Sequence, residues 1–186
     1  MEIILIRHGK PEASVHSIVS SIVNVVGYVK WLKQYHHSKV FIDSRPSAEC
    51  IEQYKHHVVI SSDLNRAIHS AEIFTSKVPT IINKHLREIE LPRYKLPLYL
   101  PAMVWLYLSR LLWLCGMKGS FETYKQAKIR ATKAALHLID VAEKEEKIIV
   151  FGHGLINRFI RQVLIDKGWQ LTEKNSDYWG VTVLTL

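Results

Sequence analysis

Arg7-His8-Gly9 follows directly on the apolar run Ile3–Ile6, so an arginine and a histidine stand at the end of what reads as a buried first strand. Strand ends are where α/β folds bind ligands. An arginine brings a permanent, forked charge that matches phosphate oxygens. The imidazole beside it can act as a nucleophile or a proton carrier near neutral pH. A second arginine lies in Ser61-Ser62-Asp63-Leu64-Asn65-Arg66-Ala67, in the expected first turn of a helix that Ser62 or Asp63 would cap. A helix start offers free N–H groups and a partial positive charge, which suit an anion. A second histidine lies in Gly152-His153-Gly154, where flanking glycines let backbone approach a ligand closely. Leu86-Arg87-Glu88-Ile89-Glu90 adds two carboxylates in a loop, either of which could carry a proton. Singly, each segment reads as an ordinary turn or charged surface. Together they suit one job: Arg7, Arg66 and His153 hold phosphoryl oxygens, His8 attacks phosphorus in line, and a glutamic acid protonates the leaving oxygen. The fixed cations supply the charge stabilisation, so no metal or cofactor is called for.

These groups need a scaffold that brings strand ends together. Short apolar runs at 2–6, 58–61, 80–82, 147–151 and 180–185 read as strands of a covered sheet. Between them, 64–75, 155–167 and 121–144 carry helical periodicity. Phe121, Tyr124, Ala127, Ala131, Ala134, Leu138 and Val141 recur at three- and four-residue steps, with Ser120 as the expected N-cap. Lys167-Gly168 is a good helix stop. Segments 17–37 and 46–55 lean towards helix. Strands alternating with helices predict a three-layer α/β/α fold with a mostly parallel sheet of five or six strands. Residues 1–186 read as a single domain without repeats or linkers.

The net charge is +8 with 25 basic and 17 acidic residues, which fits an anionic partner. The basic residues are scattered and no groove-reading motif is present, so nucleic acid is not the expected partner. Cys50 and Cys115 have no partner spacing. No signal peptide is visible, which makes a cytoplasmic location the default expectation. His36-His37 and His56-His57 are adjacent pairs that point apart on any regular element and are not expected to hold a metal. Tyr28 and Trp31 are expected in helix packing, with the pocket wall as the alternative, and Tyr178 and Trp179 against the core, with a pocket edge as the alternative.

Residues 96–117 contain a single charge, Arg110. Pro97 and Pro101 break the first part and leave a helix of 101–115 ended by Gly116. At about 1.5 Å per residue this helix is about 22 Å long, short of a roughly 30 Å hydrocarbon core. A core or lid helix is expected; peripheral membrane contact is the alternative, with Trp105, Tyr107 and Trp113 as interfacial anchors.

With these four blocks in place, the chain resembles the histidine phosphatase superfamily, the phosphoglycerate-mutase-like family. Arg7-His8-Gly9, the 61–67 block continued by Ala71-Glu72, Leu86-Arg87-Glu88 and Gly152-His153-Gly154 stand in the family's order. The resemblance implies a phosphoglycerate-mutase-like fold with a helical cap insertion near 92–120. It implies a transient phosphohistidine on His8 and a phosphate pocket of Arg7, His8, Arg66 and His153. It makes Glu88 the proton donor and then the base that activates water, with Glu90 as the rival. The implied activity is that of a phosphoric monoester hydrolase acting on a phosphorylated small molecule or a phosphoprotein. The alternatives are mutase-type phosphotransfer and a non-catalytic phospho-ligand or protein-binding module. Two departures stand out. Lys10-Pro11-Glu12-Ala13-Ser14 replaces the residues that commonly follow the first motif, with Ser14 near the place of an asparagine. Leu91-Pro92-Arg93-Tyr94 opens an apolar insertion that bears on the substrate pocket.

Overall fold

The structure, a computed structural model, describes residues 1–12 and 21–186. Its main sheet has six strands: β1 (Glu2–Arg7), β3 (Val58–Ser61), β4 (Ile81–Ile82), β6 (Lys147–Gly152), β7 (Gln170–Lys174) and β8 (Val181–Thr185). Their order is β4-β3-β6-β1-β8-β7. The first four are parallel; β8 runs antiparallel to β1, and β7 antiparallel to β8. A two-stranded ribbon joins β2 (Ile22–Val23) to β5 (Leu100–Pro101).

Every second residue of a strand faces the same way. In β1, Ile3 and Leu5 enter one core, and Ile4 and Ile6 the other. Helices α5 (Tyr124–Glu145) and α6 (Gly154–Asp166) close the first face; α2 (Ala48–Tyr54) and α3 (Asn65–Thr75) close the second. This is the expected α/β/α sandwich. The local differences have physical causes. The N-cap of α5 is Thr123 with a full capping box to Gln126, not Ser120, because Phe121 is drawn into the core against Tyr94. The N-cap of α3 is Leu64 without a side-chain bond, because Ser62 and Asp63 serve other partners. β7 was not expected: its residues are polar and exposed, and it exists by pairing with β8. The helix expected over 17–37 begins at Val25 as α1 (Val25–His37), after β2. Gly168 stops α6 as expected, at φ +96°.

The apolar 96–117 segment contains α4 (Ala102–Leu114). It packs on α1 through a separate core of Tyr28, Trp31, Leu32, Ala102 and Trp105. Tyr28 and Trp105 stack with ring centres 5.6 Å apart. Trp113 is buried in the main core and donates its indole N–H to the Glu122 carbonyl at 2.7 Å. Trp105 and Trp113 are therefore packing residues and not surface anchors; Tyr107 is exposed. Among the described residues no helix is long and apolar enough to cross a membrane.

Candidate active site

The parallel strands β1, β3 and β6 end side by side, and their ends deliver the site. Their register pairs Arg7 with Gly152 and Ser61 with Phe151. His8, one residue past β1, is tied down by its own backbone N–H to the Gly152 carbonyl, 3.0 Å. Gly9 must be glycine for reasons of space, since a Cβ there would lie 2.6 Å from Trp179 and 2.7 Å from Val40. Its N–H donates to Ser70 Oγ, whose hydroxyl donates to the Arg66 carbonyl at 2.6 Å. The turn after β1 is thus bound directly to α3, the helix that carries Arg66.

His8 and Arg66 meet. Arg66 Nε donates to His8 Nε2 at 3.1 Å. A guanidinium can only donate, so Nε2 carries no proton and Nδ1 does. Nδ1–H donates to the Gly9 carbonyl at 2.7 Å. The nitrogen facing the site is therefore the one with a free electron pair. Burial, then the charges of Arg66 and Arg7, press the His8 pKa down to about 3, so the ring is neutral across the physiological range. Arg66 is itself buried, and burial lowers its pKa. It is held by the Tyr35 and His36 carbonyls, each at 3.3 Å, and lies over the Tyr35 ring.

His153 completes the pair, its ring centre 4.9 Å from that of His8. Its Nε2 lies 3.0 Å from Ser62 Oγ; that oxygen accepts from the Leu64 N–H and can turn its own hydrogen to Nε2, which leaves the neutral ring's proton on Nδ1. Its Nδ1 is buried and, among the described residues, without a hydrogen-bond partner. Burial keeps its pKa well below the ordinary value. Arg7 donates Nη1 to the Ser176 carbonyl at 3.0 Å and lies 4.1 Å over the Tyr178 ring. Its Nε is also buried and unpartnered among the described residues. Arg7, Arg66, His8 and His153 therefore form one cluster around unused donor atoms. An unpaired buried donor costs free energy; an acceptor-rich anion placed between these groups would remove that cost.

The two glutamates differ in placement. The Glu88 carboxylate accepts from the N–H groups of Leu155 (3.3 Å) and Ile156 (3.2 Å). It therefore sits at the start of α6, directly beyond His153. Glu90 turns to the Glu122 N–H, 3.0 Å away, and its side chain is about half exposed. The loop carrying both is anchored by Arg130, which bridges Glu122 and the carbonyls of His85 and Arg87 at 2.7–2.8 Å. A cavity of about 380 Å³ opens beside Arg66 and Glu88. It is walled by Val29, Leu32 and Lys33 of α1 and by Ile89, Leu91 and Arg93 of the loop. No α4 residue lines it; α4 supports α1 from behind.

Ser14 lies outside the described residues. Of the remaining predicted site residues, all are brought together except Glu90, which faces the cavity from its rim. Sequence reasoning does not assign Ser62 or Tyr35 to the site. Ser62 was visible inside the second block but was read as a helix cap. For Tyr178 the pocket edge, the alternative to core packing, is what the structure has: it stacks on Arg7 and stands 5.9 Å from His8. Nothing local marks Tyr35, which reaches Arg66 only because α1 packs there.

Comparison with solved structures finds the same fold at low identity. The product of an open reading frame, Rv3214, from Mycobacterium tuberculosis superimposes with a TM-score of 0.61 at 15% identity, covering 100% of this chain and 95% of that one. A phosphoserine phosphatase mutant from Entamoeba histolytica, in complex with phosphoserine, gives 0.53 at 18%, covering 98% and 89%. The alpha-ribazole phosphatase from Shigella flexneri gives 0.51 at 19%, covering 90% and 79%. Among curated proteins no relative matches in sequence. The sequence pattern of the histidine phosphatase superfamily (branch 1) matches residues 44–186. That span holds Arg66, Glu88 and His153, and the parallel pairing of β1 with β6 sets Arg7 and His8 among them. The chain belongs to the histidine phosphatase superfamily.

Proposed function

We propose that the protein hydrolyses phosphomonoesters through a phosphohistidine on His8. One observation carries this reading: His8 presents an unprotonated Nε2 to a buried cluster of cationic and neutral donors that lack an anionic partner. A phosphoryl group entering the cluster takes over the Arg66 Nε–H and the free donors of Arg7 and His153. Nε2 is then released to attack phosphorus. The N–P bond forms as the ester P–O bond breaks, and the leaving oxygen takes a proton from Glu88. In the second step water attacks phosphorus, gives its proton to Glu88, and the P–N bond breaks to release phosphate and neutral His8. Glu88 is favoured over Glu90 by its place beyond His153. The adjoining cavity has the volume of a small-molecule site and mixes apolar walls with Lys33 and Arg93. This favours a phosphorylated small molecule over a folded phosphoprotein.

The test is turnover of a chromogenic phosphate ester in excess chelator. The wild type should turn over and trap an acid-labile phosphoenzyme on quenching, and His8→Ala should do neither. Glu88→Gln should lose at least about 100-fold in turnover, the usual range for a proton-transfer group, and Glu90→Gln much less. Turnover that survives His8→Ala, or that stops with chelator, refutes the proposal. Phosphate-ester binding without turnover in the wild type leaves a binding module instead.

A further inference from the structure

Helix α4 breaks the pattern of the other helices. Its inner positions, Ala102, Trp105, Ser109 and Trp113, are buried. Its outer positions are apolar as well. Val104 is 44% exposed, Tyr107 68%, Leu111 57% and Leu114 59%. Their three- and four-residue spacing makes one stripe about 15 Å long. Leu98 and Tyr99 before the helix and Met117 after it are exposed as well. A scattered exposed leucine needs no explanation, but a contiguous apolar stripe marks an interaction surface. A helix apolar all round is normally buried all round, and this one is not.

Charge says what covers it. The layer built by α1 and α4 comes from residues 21–42 and 91–118. These stretches hold Lys30, Lys33, Lys39, Arg93, Lys95, Arg110 and Lys118, and not one Asp or Glu. They account for seven of the eight net positive charges, leaving eighteen basic against seventeen acidic residues elsewhere. Arg110 turns inward over Trp113; the other six are exposed, of which Lys33 and Arg93 also wall the cavity beside Arg66 and Glu88. The ribbon register of Ile22 with Pro101 brings a further exposed aliphatic residue, Ile22, to the start of α4.

We propose that this layer docks on the surface of an anionic lipid bilayer, with the α4 stripe entering the headgroup boundary and the layer's exposed lysines meeting lipid phosphates. Apolar burial combined with attraction to acidic lipids is how interfacial helices bind. Tyr99 and Tyr107 take the interfacial role expected of amphipathic rings. A second copy of this chain is disfavoured as the occupant, since two such layers would meet with like charge. The stripe also offers no hydrogen-bonding side chains apart from its tyrosines to specify a protein partner. The helix is too short to span and lies on the surface instead.

Vesicle flotation of the full chain tests this. Wild-type protein should float with vesicles of phosphatidylcholine containing 30% phosphatidylglycerol. It should bind at least tenfold more weakly to pure phosphatidylcholine, and lose binding in high salt. Tyr107→Glu with Leu111→Glu should lose at least tenfold in partitioning without a change in melting temperature. Lys30→Gln with Lys95→Gln and Lys118→Gln should lose the preference for the anionic vesicles. Absence of flotation on anionic vesicles overturns the proposal, as does flotation indifferent to both variants. A wild-type dimer that the paired glutamates convert to monomer, without vesicle binding, assigns the face to self-association.

Discussion

Lowering the pH should destabilise this protein through His8, and the size of the effect follows from the site. The ring has an ordinary pKa of 6.5 and a value of about 3 in place, set first by burial and then by Arg66 and Arg7. The unfolded chain binds a proton at residue 8 that the folded protein refuses. Stability is therefore fully present above 6.5 and is lost as the pH falls from there towards 3. At about pH 5 the linkage cost from this residue is ~2 kcal/mol. For a chain of this length, 1 kcal/mol moves the melting temperature by about 2–4 °C, so His8 should account for a fall of ~4–8 °C between about pH 7 and about pH 5. The assay is thermal unfolding in phosphate-free buffers of matched ionic strength, comparing wild type with His8→Ala. The variant's absolute stability is immaterial, because the slope with pH carries the information. The wild type should lose ~4–8 °C more than the variant over that interval. Saturating inorganic phosphate should flatten the wild-type slope, since an anion beside the ring offsets the two arginines. Parallel curves for wild type and His8→Ala would mean that the ring protonates without penalty, and the argument for a closed cationic cluster would fail.

Two further outcomes follow from neighbouring contacts. Among the described residues Arg66 has no ion-pair partner, so Arg66→Met removes a buried charge along with its hydrogen bonds; unliganded stability should change by no more than about 1 kcal/mol, while phosphate binding weakens by about 2–5 kcal/mol, read as loss of thermal protection by phosphate, and undiminished protection would refute the pocket. Arg130→Met should lower stability by about 2–4 kcal/mol through four lost charge-assisted bonds and reduce kcat more than it raises KM by freeing the Glu88 loop; unchanged turnover in a destabilised variant would show that the anchor does not position Glu88.

Much of this arrangement was readable from the residues in order. The runs Ile3–Ile6 and Ile148–Phe151 are apolar at every position, which only a strand covered on both faces tolerates. Polar groups directly after such strands, His8 and His153, must then lie at the sheet's ligand-binding edge. The glutamate loop was recognisable, but its two carboxylates were not separable by type or spacing. What distinguishes them is that α6 starts beside Glu88 and the Glu122 N–H lies beside Glu90. The capping of α3 differs from expectation for a similar reason. Ser62 and Asp63 are good cap residues, yet one is taken by His153 and the other by Arg87. β7 carries no apolar alternation because it is an exposed edge, so only its neighbour reveals it.

The sequence by itself determined the covered parallel strands, the helices between them, and the residue types waiting at the strand ends, because periodicity and chemical type are local properties. Tertiary structure alone decided which polar atoms were left without partners. It turned His8 Nε2 towards Arg66, left His153 Nδ1 and Arg7 Nε unsatisfied, buried Trp105 and Trp113, and left the outer face of α4 bare. Hydrogen-bond competition and burial are settled between segments far apart in the chain, and no window of residues contains both sides of that contest.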